Sequence, residues 1–90
     1  MHTQKIQVLR ERLNAHHKWP TEYLFKFILQ ADAQKEAELL VIFEQSIEIK
    51  KRESREGKYV SYSIKKRMKN ADEIFDIYME ANKIEGIITL

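Results

Sequence analysis

Two runs of cations, Lys50-Lys51-Arg52 and Lys65-Lys66-Arg67, and one mixed stretch, Lys58-Tyr59-Val60-Ser61-Tyr62, are the parts of this chain best suited to contact chemistry. Side chains of these types hold anions by charge and hydrogen bonding, and rings among them can stack on nucleobases. Bond-breaking chemistry needs something else: a nucleophile beside a base, a metal cluster, or paired carboxylates in a cleft. His16 and His17 are adjacent, so they diverge by about 100° on a helix and point to opposite faces on a strand, which suits solvated histidines better than a chelate. Glu36, Glu38 and Glu44, like Asp72, Glu73 and Asp76, have the spacing of a wet helix face. With no cysteine, disulfides, thiolate metal sites and thiol nucleophiles are excluded. The expectation is a non-enzymatic protein with no metal and no cofactor.

The 16 basic and 14 acidic side chains leave a net charge of only +2, too mild to imply nucleic acid, so any electrostatic function must reside in local patches. At 90 residues the chain makes one domain with one core, and its 43% apolar and 33% charged content is globular. The first residues lack an apolar signal core, and the longest apolar run, Leu39 to Phe43, has five residues. That is far short of the roughly 18 that a membrane span requires, so a cytoplasmic location of bacterial type is expected.

Periodicity supplies the elements that must position these residues. Ile6, Leu9 and Leu13 make one apolar stripe of a short N-terminal helix, with Thr3 as a possible cap. Pro20 turns the chain out of helical geometry, so residues 1–18 read as helix and connector and residues 19–90 as the folded body. From Thr21 to Gln30 a strand places Tyr23, Phe25, Phe27 and Leu29 on one face and Leu24, Lys26 and Ile28 on the other. Asp32 can cap a helix from Ala33 to about Glu44 with an unusually wide apolar arc. Ser46 to Arg55 and Lys58 to Met68 alternate around Glu56-Gly57, which reads as a hairpin turn whose Gly takes positive φ. With Arg55 opposite Lys58, Ile49 meets Ile64 on the core side; Glu48 meets Lys65, Lys50 meets Ser63, Arg52 meets Ser61 and Ser54 meets Tyr59 outside. Asn70 or Asp72 starts a second helix with Ile74, Ile77, Tyr78 and Ala81 inward; it ends near Asn82, and Glu85 to Leu90 is a last short strand.

The order βαββαβ, with two right-handed crossovers joined by a hairpin, predicts an α+β, ferredoxin-like fold: a four-stranded antiparallel sheet with both helices on one face, plus the N-terminal helix. The other sheet face is then open. Lys26, Lys50, Arg52, Tyr59, Ser61 and Lys65, beside Leu24 and Ile28, form the candidate binding face.

Trp19-Pro20, Tyr23 with Phe25-Lys26, the hairpin Ser54-Arg55-Glu56-Gly57-Lys58-Tyr59-Val60-Ser61, and the closing segment from Ile77-Tyr78 to Leu90 together resemble the YbeD-like family of small bacterial proteins. The resemblance covers roughly Trp19 to Leu90 and implies a ferredoxin-like fold similar to regulatory ACT domains, with no established activity. Trp19 stands where phenylalanine is usual, and Leu29 and Asn82 where glycines are common. The glycine that ACT domains use near the first strand-to-helix turn is absent from Leu29-Gln30-Ala31-Asp32, so the resemblance does not extend to amino-acid binding.

The functional expectation is a regulatory module that binds a protein partner or a small effector. Single-stranded RNA is the alternative, because RNA-recognition domains share the topology and stack bases on their third strand. By the register above only Tyr59 could stack, since Tyr62 points to the core, and nucleic acid is therefore not favoured. The Ile6, Leu9 and Leu13 stripe is the candidate for self-association: burying three such side chains is worth about 5 kcal/mol, enough either for a homodimer or for sealing the helix onto its own domain.

Overall fold

The computed structural model describes residues 8, 11–13, 15, 18–43 and 48–90. Strand β1 (Thr21–Gln30), helix α1 (Ala33–Phe43), strands β2 (Glu48–Glu53) and β3 (Tyr59–Met68), helix α2 (Ala71–Ala81) and strand β4 (Ile88–Thr89) follow in order. The strands form one antiparallel sheet in the order β2-β3-β1-β4. This is the α+β, ferredoxin-like βαββαβ arrangement, preceded by helical residues at 8, 11–13 and 15.

Strict alternation sends one side of β1 inward, so Phe25, Phe27 and Leu29 join Val60, Tyr62, Ile64 and Met68 of β3 beneath Leu39 and Phe43 of α1 and Ile74 and Ala81 of α2. The rings interlock at their edges: Phe25 lies 5.2 Å from Phe43 and 5.3 Å from Tyr78, both T-shaped. Caps fix where the helices begin. Asp32 Oδ1 accepts from the Gln34 amide at 2.8 Å, and Asn70 Oδ1 from the Glu73 amide at 2.9 Å, while the Glu73 carboxylate accepts from the Lys69 amide at 2.9 Å.

The β2–β3 register is the expected one, from Glu48↔Lys65 to Glu53↔Val60. Its turn differs. Strand pairing closes at Ser54, whose amide donates to the Tyr59 carbonyl at 2.8 Å, and the Gly57 amide donates to the Ser54 carbonyl at 2.9 Å. Residues 55–58 are thus all loop, and Arg55 does not pair with Lys58. Widening the turn by one residue on each side leaves its centre unchanged, so the register survives; Gly57 has the expected positive φ, +74°. β4 is also shorter than expected. Residues 84–87 are spent on a turn through Gly86 at φ +79°, leaving Ile88–Thr89 to pair with Ile28 and Phe27.

The wide apolar arc of α1 is only partly covered: Leu39 and Phe43 are buried, whereas Val41 is 73% exposed. Leu13 is half-buried and packs against the core of its own domain, while Ile6 and Leu9, like His16, His17, Glu44 and Ser46, lie outside the described residues. Neighbouring positions in β1 should respond oppositely to truncation. In urea denaturation, Phe25→Ala should cost about 3–5 kcal/mol and Leu24→Ala within about 0.5 kcal/mol.

Candidate functional site

Three long strands carry the uncovered face, and their registers arrange it as a grid of cross-strand rows. Glu22 opposes Arg67; Leu24 opposes Lys65, which opposes Glu48; Lys26 opposes Ser63, which opposes Lys50; Ile28 opposes Ser61, which opposes Arg52; Gln30 opposes Tyr59. All six predicted residues, Lys26, Lys50, Arg52, Tyr59, Ser61 and Lys65, therefore share this face. Ser61 is half-buried and the other five are exposed. Ser54 Oγ accepts from the Tyr59 amide at 3.1 Å, and Ser61 Oγ donates to the Arg52 carbonyl at 3.3 Å, so hydroxyls of the hairpin hold its own backbone.

The two cationic runs are split by strand parity. Lys51 lies on the helix side, where its ammonium pairs with the Glu36 carboxylate, and Lys66 is half-buried on that side too. On the open face Lys65 lies 3.8 Å from Glu48. Lys26 and Lys50 have no ion-pair partner among the described residues. Between them and the Leu24 row lies a shallow hollow of about 200 Å³, lined by Leu24, Lys26, Glu48, Lys50, Ser63 and Lys65.

Ser63 sits centrally, opposite Lys50 as expected. One feature of this face escaped the reading of the sequence. Ile88 opposes Ile28, and the Leu90 amide donates to the Lys26 carbonyl at 3.0 Å, so the chain end extends the face sideways. Leu24, Ile88 and Leu90 are 46%, 48% and 67% exposed, a line of apolar side chains along the β1–β4 edge beside the cations of β2 and β3. The signal for it, alternation over two residues of β4, is too short to give a register.

Among the described residues no cluster of His, Cys, Asp or Glu could hold a metal ion, and no helix is long and apolar enough to cross a membrane. The profile of a family described as proteins of unknown function, DUF493, matches residues 14–90. The chain belongs to the DUF493 family. DUF493 proteins are the small bacterial, YbeD-like proteins to which Trp19-Pro20 and the Ser54–Ser61 hairpin pointed. No curated protein and no solved structure matches this DUF493 chain.

Beneath the face, two phenols are strongly perturbed. Burial, then the neighbouring Glu36 carboxylate, pushes the Tyr62 hydroxyl up to about 12, and the two groups lie 3.3 Å apart. Tyr78 is raised as well, by burial and then by its 3.0 Å hydrogen bond with Tyr23. Because the folded Tyr62 value exceeds the ordinary 10.0, its stabilising effect is intact below pH 10 and is lost as the pH rises toward 12. Urea midpoints should fall through that window, and Tyr62→Phe should flatten part of the fall.

Proposed function

We propose that this DUF493 protein is a cytoplasmic, non-enzymatic regulatory module that binds a protein partner or a small effector across the open face of its sheet. The observation that carries this reading is the one-sided cover of the sheet: both helices lie over the Phe25–Phe27–Ile64 side, and the opposite side combines exposed leucine and isoleucine with cations. Such a mixture suits a partner that contributes apolar contact and carboxylates or phosphates together. Regulation follows only if the partner binds two states of itself or of the module with different affinity.

The non-enzymatic reading is supported by the surroundings of the hydroxyls. Ser61 donates its hydroxyl proton to the Arg52 carbonyl rather than to a base, and Ser54 Oγ accepts from the Tyr59 amide within the hairpin. The RNA alternative has less support, since Tyr59 is the one ring on this face among the described residues and Tyr62 is buried in the core.

A photoreactive phenylalanine analogue at position 59 tests the reading in native cytosol, with the same analogue at position 41 on the helix side as comparison. Discrete protein or small-molecule adducts from position 59, diminished by Lys50→Glu with Arg52→Glu, are expected. Adducts formed only from position 41 would contradict it, and saturable binding of single-stranded RNA with a steep salt dependence would favour the alternative.

A further inference from the structure

We infer that Lys26, Ser63 and Lys50 form a binding site for the phosphate group of a small phosphate monoester. This deepens, and rests on, the proposed role of the open face, for which it names the ligand chemistry.

The three residues lie directly opposite one another on three adjacent strands, β1, β3 and β2, with all three side chains on the uncovered face. Strands spaced about 4.8 Å apart put the two lysine Cα atoms about 10 Å apart with the serine midway. Lysine stems are long enough to converge from there on a single group above Ser63. Among the described residues four cations pair with carboxylates: Lys65 with Glu48, Lys51 with Glu36, Lys58 with Glu56 and Lys83 with Glu80. Lys26 and Lys50 are neighbouring positive charges without an ion-pair partner among the described residues, and Arg52, two residues along β2, adds to the same field. An anion held between them removes a like-charge repulsion as well as making new bonds.

Charge and donor count select the anion. Two ammonium groups and one hydroxyl match the three terminal oxygens of a monoester, which is close to dianionic at neutral pH, better than they match a carboxylate or a singly charged diester. The hollow of about 200 Å³ admits a phosphate and the first part of its bearer, whereas whole-ligand pockets occupy about 300–1,000 Å³. Leu24 forms one apolar wall, and on another Lys65, 3.8 Å from Glu48, offsets the charge of that carboxylate. Because both lysines are exposed, binding is weak and screened by salt.

Phenyl phosphate titrated into the full chain at constant ionic strength, followed by amide chemical shifts, tests this, with dimethyl phosphate and acetate as comparators. Saturable shifts should centre on Lys26, Ser63 and Lys50. Affinity should exceed that for dimethyl phosphate by about fivefold or more, and should weaken as the pH falls through about 6. Lys26→Gln with Lys50→Gln should lose about tenfold with the remaining spectrum unchanged, whereas Lys58→Gln should bind as the unaltered chain does. Equal affinity for the diester, shifts spread over every cation, or undiminished binding by the double variant would overturn the site. If position-59 adducts persist in that double variant while phenyl phosphate fails to bind, the phosphate assignment falls and the binding face stands.

Discussion

The structure depends on the ten-residue antiparallel ladder between β1 and β3, from Thr21↔Met68 to Gln30↔Tyr59. Pairing of period two sorts every residue in both strands to one of two environments. The inward set supplies Phe25, Phe27, Leu29, Val60, Tyr62, Ile64 and Met68, all essentially buried. The outward set consequently lies together on a surface whose shape follows from the core. A slip of one residue would exchange the two sets, burying Lys26 and exposing Phe25, at a cost far larger than any gain available in the loops. The candidate face is therefore as firmly specified as the core itself.

Charge is sorted by the same constraint. A net +2 conceals a division in which Lys26, Lys50, Arg52, Lys65 and Arg67 occupy the open face against Glu22 and Glu48, while α2 carries Asp72, Glu73, Asp76 and Glu80 without a basic residue. The cations of β2 also sit on an edge strand. Lys50-Lys51-Arg52 makes pairing of this edge with a second copy of itself unfavourable, a common way to protect an exposed strand. The same positive field that discourages another β2 remains available to an anionic ligand approaching the face from above.

Much of the fold was legible because its signals are local and strong. Alternation from Thr21 to Gln30 defined the faces of β1, and Gly57 marked the centre of the hairpin, from which the whole β2–β3 register followed even though the loop is four residues rather than two. Asp32, and Asn70 beside the alternative Asp72, marked the helix starts, and the side chains of Asp32 and Asn70 satisfy amides there. The candidate face was legible to the extent that it depends on parity, which is why Lys26, Lys50, Arg52, Tyr59, Ser61 and Lys65 were found together. Other features depend on tertiary context. The pairing of Lys51 with Glu36 joins a strand to a helix, and the placement of Ile88 and Leu90 beside Lys26 depends on where a two-residue strand docks. Neither leaves a periodic trace in the chain.

The central claim is that, among the described residues, helices cover one face of the sheet and leave the other open. Methyl-resolved spectra recorded with a soluble gadolinium chelate measure this directly, because relaxation reports the approach of solvent to each methyl group. Strong relaxation at Leu24, Ile28 and Ile88, with Leu29, Leu39 and Ile64 protected, is the predicted result. Protection of Leu24 and Ile28 to the same degree as Ile64 would contradict it.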